Sequence, residues 1–362
     1  MGDYEFVTAE DMEFLADVLR EKTNISMRLS FPFDFNSICV PRSTHTEKNY
    51  IEGNSLYPYV FFVSSIRNGA FFSFNDSLMT SVYFPQCQTI GINAFASCSC
   101  LETIYFPTCE IINSSAFCGC LNLLSINLPK CKTIMESVFA DTGIVSISLP
   151  ACEYLGKACF YNCYDLKDVY LPNCLSIDSL CFSCCTSLEN IFMPNVEYIA
   201  SDAFYKSPLK EVRADKCLYI DFECFGCCSQ LSKAYFPACS FVHRNAFYSC
   251  SLLTSVNLEK CEEIQSNAFK FCSSLSKINL PECKIIGKEA FDRTNLTIVS
   301  LPKCEVLGVN ALGENVSSLY LLGSKIVSGL NYTIRSNTRI YIPSALLSQY
   351  QANYTRLTFV AI

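Results

Sequence analysis

Residues 101–120 read LETIYFPTCEIINSSAFCGC, and the same pattern returns at 231–250 (LSKAYFPACSFVHRNAFYSC) and at 275–294 (LSKINLPECKIIGKEAFDRT). In each copy a cysteine lies two residues after a proline, and an Ala-Phe pair begins seven residues after that cysteine. A pattern that returns at a fixed interval predicts a stack of similar structural units rather than one irregular core.

The interval can be counted from the residue in the proline position of each copy. Aligned on it, the chain holds eleven consecutive copies, separated by seven steps of 22 residues and three of 21. One degenerate copy precedes them around Ile66, and two follow around Leu322 and Pro343. We therefore predict a solenoid of about 12 turns, in which each turn contacts only its neighbours. The aligned positions are Pro85, Pro107, Pro129, Pro150, Pro172, Pro194, Asp215, Pro237, Glu259, Pro281 and Pro302.

The consensus of the copies is L-x-x-I-x-[LF]-P-x-C-x-x-I-x-x-x-A-F-x-x-C. The alternation around Ile104 and Phe106 is typical of a strand with one buried face. The first nine positions resemble the leucine-rich repeat signature L-x-x-L-x-L-x-x-N/C. That resemblance implies an α/β-type solenoid with short parallel strands about 4.8 Å apart. The Ala-Phe pair would then fill the gap between layers on the return path.

The three 21-residue steps share a second feature. They run through ADTGI (140–144), YKSPL (205–209) and DRTNL (292–296), where the second cysteine of the repeat is replaced by Thr142, Ser207 and Thr294. Because the deletion and the lost cysteine coincide, we expect a surface corner there with a long and a short form.

Composition narrows the function classes. Half of the 362 residues are apolar and 17% are charged, which is typical of an ordered globular chain. A formal net charge of −7 without a Lys/Arg cluster argues against nucleic-acid binding. No stretch approaches the roughly 20 apolar residues that span a bilayer. The acidic N-terminus lacks the basic and apolar regions of a signal peptide, so we expect no export.

Most of the 25 cysteines occupy two columns of the repeat. The first column lies two residues after the proline position, with Val196 as its exception, and we assign it to the structural core. The second column closes the corner, and three more cysteines replace the Ala before Phe. The first column is Cys87, Cys109, Cys131, Cys152, Cys174, Cys217, Cys239, Cys261, Cys283 and Cys304; the second is Cys98, Cys120, Cys163, Cys185, Cys228, Cys250 and Cys272; the third set is Cys159, Cys181 and Cys224.

Disulfides, a metal site and a packed core are the three explanations for these cysteines. Like cysteines in adjacent turns would have parallel Cα–Cβ vectors about 4.8 Å apart, wider than the roughly 3.8 Å between Cβ atoms that a disulfide prefers. The C-x-x-C motifs at 181–185 and 224–228 lie too far apart for a zinc site. Val, Ala, Thr and Ser replace the cysteines in sister copies. We therefore favour small, buried core residues and expect no metal or other cofactor.

No catalytic constellation is present. The chain has two histidines, His45 and His243, and only the second lies in the repeats. A cysteine nucleophile needs an adjacent base, and the phosphate-loop, nucleophile-elbow and HExxH motifs are missing. We expect no catalytic residue and no enzymatic activity.

The residue two before the proline position is predicted to point outward from the strand. Seven of the thirteen residues in this column are aromatic, and most of the others are Asn or Ser. Aromatic side chains stabilise strand faces, but an exposed Tyr column with Asn and Ser also resembles a binding surface. A strand phase shifted by one residue would instead bury the column. The candidate binding face comprises Tyr83, Tyr105, Tyr170, Phe192, Arg213, Tyr235, Tyr320 and Tyr341.

Four regions are expected along the chain. Residues 1–40 form an N-terminal docking segment in which Thr8 precedes a short helix from Ala9 to about Lys22. Residues 41–58 are a polar linker, residues 59–345 are the repeat solenoid, and residues 346–362 are a C-terminal cap.

The repeats resemble the BspA-like leucine-rich repeats of bacterial, phage and protist surface proteins. Pro281, Cys283, Ile286, Gly287 and the Ala290-Phe291 pair carry that pattern, and RIYIPSALLSQYQANYTRL (339–357) resembles the closing segment of those proteins. Members of the wider family bind host surfaces and matrix proteins, so the resemblance implies non-enzymatic recognition or adhesion.

The segment FLADVLREKTNISMRLSFP (14–32) is similar to a short helical segment at the start of phage and prophage structural proteins, although Asn24 stands where that family has Gly. The resemblance implies a tail-associated virion protein, assembled in the host cytoplasm, with other tail proteins bound through residues 1–40. Its expected ligand is a cell-surface glycan or protein, without nucleic-acid binding or membrane insertion. The alternatives are a cell-surface or extracellular adhesin of the same repeat family and a structural spacer without ligand.

Overall fold

A computed structural model describes residues 63–74, 80–332 and 337–362, together with the backbone of three short strands at 4–6, 39–41 and 59–60. The expected N-terminal helix and most of the linker lie outside the described residues. In chain order the strands are β1 Tyr4–Phe6, β2 Cys39–Pro41, β3 Tyr59–Val60, β4 Ser65–Ile66, β5 Ser81–Tyr83, β6 Thr89–Ile90, β7 Thr103–Tyr105, β8 Ile111–Ile112, β9 Ser125–Asn127, β10 Thr133–Ile134, β11 Ser146–Ser148, β12 Tyr154–Leu155, β13 Asp168–Tyr170, β14 Ser176–Ile177, β15 Asn190–Phe192, β16 Tyr198–Ile199, β17 Glu211–Arg213, β18 Tyr219–Ile220, β19 Lys233–Tyr235, β20 Phe241–Val242, β21 Ser255–Asn257, β22 Glu263–Ile264, β23 Ile285–Ile286, β24 Ile298–Ser300, β25 Val306–Leu307, β26 Ser318–Tyr320, β27 Arg339–Ile342 and β28 Phe359–Ala361.

Most turns of the repeat contribute two strands, and the resulting parallel-strand solenoid of about 13 turns confirms the predicted repeat array. In the turn that begins at Leu275 the front strand is reduced to a single bridge between Asn257 and Asn279. The first strand is formed by the L-x-x-I-x segment, and we call the stack of these strands the front ladder (β3, β5, β7, β9, β11, β13, β15, β17, β19, β21, β24, β26, β27 and β28). The second strand ends at the Ile of C-x-x-I and forms the back ladder. The back ladder is one twelve-stranded sheet that runs from β4 to β25.

The register of both ladders aligns equivalent residues of successive turns. In the front ladder Ile104 pairs with Val82 on one side and with Ile126 on the other. In the back ladder Ile134 pairs with Ile112 and with Leu155. Since side chains alternate across a strand, this register builds continuous buried columns from a sequence that repeats every 21 or 22 residues.

The front ladder is divided into four sheets: β3-β5-β7-β9, β11-β13-β15, β17-β19-β21 and β24-β26-β27-β28. Each division falls at a 21-residue step, because the missing residue lies in the corner just before the front strand. At the first division the Val145 N–H lies 3.5 Å from the Leu124 carbonyl oxygen, whereas one turn later the Lys167 N–H lies 2.8 Å from the Val145 oxygen. The short corners therefore interrupt the front ladder and leave the back ladder intact.

The return path contains bends instead of the helix that an α/β-type solenoid implies. Two residues in most turns have positive φ, four positions apart, such as Asn93 at 55° and Ser97 at 61°. A helix does not allow this alternation. Alternate N–H groups instead donate to the next turn, as Phe95 does to the Ala116 oxygen at 2.7 Å. The solenoid is therefore a β-type array with little helix.

The core consists of columns of equivalent residues, and each turn contributes one residue to each column. Its most regular column is a stack of ten phenylalanine rings from Phe95 to Phe291, with adjacent centroids 5.0–5.6 Å apart. These rings are fully buried along the axis of the solenoid. Burial of apolar surface is the main stabilising contribution to such an array.

The C-terminal residues close the last turn. Short 3₁₀ turns at Leu330–Tyr332 and Ser344–Leu346 lead to helix α1 (Leu347–Asn353), and β28 then pairs in parallel with β27. Tyr350 is fully buried, and its hydroxyl accepts the Val327 N–H at 3.0 Å. Near the other end of the chain, β1 and β2 form an antiparallel pair outside the solenoid sheets.

Candidate functional site

All ten cysteines assigned to the structural core are buried. Each thiol donates to the carbonyl two residues further along its own turn, as Cys217 does to Tyr219 at 3.2 Å and Cys239 to Phe241 at 3.2 Å. Burial raises the pKa of the Cys87, Cys239, Cys283 and Cys304 thiols to about 12. The first column therefore fills volume and satisfies a bend carbonyl, at the position that holds Asn or Cys in the leucine-rich repeat signature.

The second column makes a different hydrogen bond. Its thiols donate to the phenylalanine carbonyl of the preceding turn, for example Cys228 to Phe204 at 3.1 Å. In the second short corner, Ser207 makes the same contact with Phe182 at 2.7 Å, whereas Thr142 in the first bonds Phe139 of its own turn at 2.8 Å. At these corners a hydroxyl group therefore replaces the thiol as the hydrogen-bond donor.

The 24 cysteines of the solenoid are all free thiols. In both C-x-x-C motifs the first cysteine points into the core and the second lies partly exposed at a corner, as for Cys181 and Cys184. Among the residues that the structure describes, no group of three or more His, Cys, Asp or Glu side chains is arranged to hold a metal ion. The geometry favours the packed-core interpretation.

The eight residues of the candidate binding face lie on the outer side of the front ladder. The central residue of these strands is buried, as for Ile104 and Val212, and both flanking residues are turned outward. Tyr170 and Phe192 are the most exposed aromatic residues of the column, at 46% and 49%, and Arg213 is also exposed. The rest are half-buried: Tyr83, Tyr105, Tyr235, Tyr320 and Tyr341.

The column is organised in pairs, one in each sheet of the front ladder. Tyr83 and Tyr105 make an edge-to-face contact at 6.4 Å, and Arg213 lies 5.9 Å over the Tyr235 ring. The other two pairs are parallel stacks, Tyr170–Phe192 at 5.1 Å and Tyr320–Tyr341 at 4.4 Å. Smaller residues separate the first pair from the second (Asn127 and Ser148) and the third from the fourth (Asn257, Asn279 and Ser300), whereas the second and third pairs are consecutive in the column.

A recess of about 410 Å³ lies on the second sheet of the front ladder and uses all three of its strands. Its floor is apolar, and its walls carry hydroxyl, carboxylate, amide and aromatic groups. Asp168 and Asn190 form its polar side, where the Asn190 amide donates to the carboxylate at 2.8 Å. The lining is Ser146, Ile147, Ser148, Asp168, Val169, Tyr170, Asn190, Ile191 and Phe192.

A second outward column was missed by the sequence analysis. The first residue of each back-ladder strand points away from the core, and Tyr198 and Tyr219 there are 41% and 47% exposed. The sequence signal for this column is the residue before Ile in C-x-x-I, which is often aromatic or aliphatic. Hydrogen bonds already hold two of these rings, Tyr154 to Asp178 at 2.8 Å and Tyr198 to Asp221 at 3.0 Å. Burial and the neighbouring aspartate raise the pKa of both phenols to about 12.

A larger recess, of about 1140 Å³, lies at the corner near the C-terminal end. It arises because the corner shortens stepwise: the core residue after the Ala comes seven residues later at 268–275, six at 290–296 and five at 311–316. Its most buried charge, Lys270, pairs with Glu289 and with Asp292 at 3.2 Å. Because these charges are already paired within the protein, the recess does not define a ligand class.

The fold and its repeat define a leucine-rich repeat protein. Residues 35–144, 64–174, 110–232 and 197–316 match the family described as BspA type leucine rich repeat region, in six copies. These matches overlap and together span well over half of the chain, so the chain belongs to the BspA-type leucine-rich repeat family.

The chain is similar to several solved structures. A leucine-rich repeat protein from Bacteroides ovatus is 25% identical, with a TM-score of 0.55, and the alignment covers 83% of this chain and 88% of that one. A leucine rich cell surface protein from Faecalibacterium prausnitzii is 18% identical, with a TM-score of 0.38 and 83% of each chain covered. Among curated proteins none matches the chain. Across the residues that the structure describes, no helix has the length and apolar character needed to cross a membrane.

Proposed function

We propose that this protein is a non-enzymatic recognition protein that binds a glycan or a protein on a cell surface through its front ladder. The observation that carries the proposal is the outward column of paired aromatic side chains. Tyr and Trp side chains provide large contact areas at low cost in conformational entropy, and Asn and Ser between them provide adaptable hydrogen bonds. A rigid ladder keeps these groups in place before a ligand arrives, which reduces the entropy lost on binding.

We further propose that the protein is associated with a phage or prophage tail and that residues 1–40 attach it to other tail proteins. The support is the resemblance of residues 14–32 to phage structural proteins. Two other roles compete with this one. An exported adhesin of the same family would use the same face without the tail attachment, and a spacer would use neither.

Binding to whole bacteria tests the recognition proposal. The wild-type protein is expected to bind saturably to cells or extracted polysaccharide of its host. The triple variant Tyr105→Ala, Tyr170→Ala, Tyr235→Ala should lose that binding, while its circular dichroism and unfolding midpoint remain close to wild type. The matched control is Tyr154→Ala, Tyr198→Ala, Tyr219→Ala on the back ladder, which should bind normally. If neither the wild type nor the control binds across a broad host panel, the recognition proposal fails and a spacer is the better account.

Copurification tests the attachment proposal. Tagged full-length protein is expected to retain phage tail proteins from an induced lysogen, and a variant lacking residues 1–40 should not. Recovery of the full-length protein on the outer surface of uninfected cells, without tail proteins, would support the adhesin instead.

A further inference from the structure

We infer that the recess on β11, β13 and β15 is a subsite for a neutral saccharide. This inference rests on the proposed function and names the ligand class of one part of the face. Three independent properties of the recess lead to it: an accessible aromatic ring face, a paired carboxylate and amide, and a lining with a single formal charge.

The aromatic ring face belongs to Tyr170. One side of the ring stacks on Phe192, with the planes 9° apart. On its other side the neighbour in register is Ser148, whose small side chain leaves the ring uncovered. An uncovered ring next to a small residue accommodates the apolar face of a pyranose, in which several C–H groups lie on one side of the sugar ring.

The polar groups lie on the same outer side of the strands, two residues from the aromatic pair. Asp168 pairs in register with Asn190, and Ser146 is the corresponding residue of β11. The Asp168–Asn190 hydrogen bond uses one amide hydrogen, which leaves a carboxylate oxygen, an amide oxygen and a second amide hydrogen. Adjacent sugar hydroxyls both donate and accept hydrogen bonds, so this set matches a pair of them.

The apolar floor of the recess is open at its β15 end. Ile191 is partly exposed there, whereas Ile147 and Val169 are each 4% exposed. The second sheet of the front ladder ends after β15 at a short corner, so no further strand of that sheet covers Ile191. The recess is therefore a consequence of the 21-residue steps on both sides of this sheet.

The charge of the lining selects among saccharides. Asp168 is the one lining residue with a formal charge at neutral pH. A carboxylate or sulfate on the sugar would be repelled by it at short range. A neutral hexose or N-acetylhexosamine unit avoids this repulsion and satisfies the same hydrogen bonds.

The fourth sheet of the front ladder allows a comparison within the same face. Tyr320 there stacks on Tyr341 and has Ser300 as its neighbour in register, which repeats the aromatic arrangement of Ser148, Tyr170 and Phe192. The positions equivalent to Ser146, Asp168 and Asn190 are occupied in that sheet by Ile298, Ser318 and Arg339. The fourth sheet therefore lacks the carboxylate–amide pair. A ligand that needs both the ring and the pair should distinguish the two sheets.

The test is binding of full-length protein to an array of immobilised neutral and acidic oligosaccharides, followed by titration of the best neutral one. Wild type should bind neutral oligosaccharides in preference to uronate- or sialate-containing ones. Asp168→Ala and Tyr170→Ala should each weaken binding at least tenfold, because a hydrogen bond to a charged group and a stacked ring are lost. Tyr219→Ala on the back ladder, outside the candidate binding face, is the control and should change it less than twofold. Unfolding midpoints establish that the variants are folded.

Several outcomes would overturn the inference. Preference for acidic saccharides, or neutral binding that Asp168→Ala and Tyr170→Ala leave unchanged, would place the ligand class or the site elsewhere. If cells are bound, the triple Tyr variant is not, and periodate oxidation of the cell-surface glycans changes nothing, the ligand is a protein. In that case the recognition proposal stands and the saccharide subsite does not. Failure of wild type to bind any cells or saccharides removes both.

Discussion

At the residue scale, the repeating cysteine has a specific hydrogen-bonding task in each of its two columns. In the first column the thiol bonds a carbonyl of its own turn, and in the second it bonds the phenylalanine carbonyl of the preceding turn. A buried carbonyl without a partner destabilises a fold, and each turn brings further carbonyls to the same places. The columns therefore persist through a sequence that otherwise varies from copy to copy.

The buried thiols predict a decline of stability at high pH. Burial raises the pKa of Cys87, Cys239, Cys283 and Cys304 to about 12, compared with roughly 8.5 in an unfolded chain. Since the folded pKa is the higher one, the stabilisation is complete below about pH 8.5 and is lost as pH rises toward 12. Each of these thiols should contribute a slope of up to about 1.4 kcal/mol per pH unit in that window.

Urea unfolding under reducing conditions at pH 7, 8, 9 and 10 measures this effect. The first two midpoints should agree, and the later ones should fall steadily. Val196 occupies the same column naturally, so Cys239→Val is a suitable control. It should reduce the slope of the free energy of unfolding against pH by the contribution of one thiol. Equal midpoints at pH 8 and pH 10 would contradict the raised pKa values.

Backbone strain at the return path gives a second residue-scale prediction. Leu180 has φ of 60°, in a column where Asn93, Asn245 and Asn267 have the same conformation. Leucine adopts this region at a cost of roughly 1–2 kcal/mol, which is lower for asparagine. Leu180→Asn should therefore raise the free energy of unfolding by about 0.5–1 kcal/mol, and the reverse change Asn267→Leu should lower it by a similar amount. Destabilisation by Leu180→Asn in urea unfolding would show that the packing of this partly buried side chain outweighs the strain.

At the element scale, the phenylalanine stack links the turns more uniformly than the front ladder does. It continues through the first two short corners, as in the Phe204–Phe225 stack with centroids 5.2 Å apart, and it ends at Phe291, before the third. The front strands are separated at those corners. Phe182→Ala at the middle of the stack should lower the free energy of unfolding by about 3–5 kcal/mol, because it removes a buried ring and leaves a cavity.

Phe182→Leu is the matched control for that change. Leu312 occupies the same position in a later turn and is 1% exposed, so leucine fits this site. The leucine variant should lose no more than about half as much stability as the alanine variant. Equal losses in urea unfolding would mean that ring stacking, rather than filled volume, determines the stability of the column.

The turns, their number and the buried columns could be predicted from the sequence because each is encoded by a residue type at a fixed interval. The bends of the return path could not, because the residues with positive φ vary from Asn and Ser to Leu180 and Phe271. The 21-residue steps mark where the front ladder breaks, but the sequence analysis predicted only a shorter corner there, because the loss of strand pairing depends on hydrogen-bond geometry such as that at Val145. The Asp168–Asn190 pair was missed since it lies in a column with no common residue type.

At the scale of the whole molecule, the protein is a one-dimensional array with two outward faces. Its front ladder presents paired aromatic residues in four short sheets, and its back ladder presents Tyr198, Tyr219 and aliphatic residues on one continuous sheet. Because each turn contacts only its neighbours, the effect of a surface substitution should be confined to its own turn and the adjacent ones. The two faces can therefore be tested against each other within a single molecule.

Oxidative footprinting by hydroxyl radicals is the measurement that tests the central claim most directly. It compares the oxidation of aromatic side chains in the free protein and in the protein bound to whole cells or their polysaccharide. The account predicts that Tyr170 and Phe192 become protected on binding, while Tyr198 and Tyr219 are oxidised as in the free protein. Protection of Tyr198 and Tyr219 with unchanged oxidation of Tyr170 would contradict it and assign recognition to the back ladder.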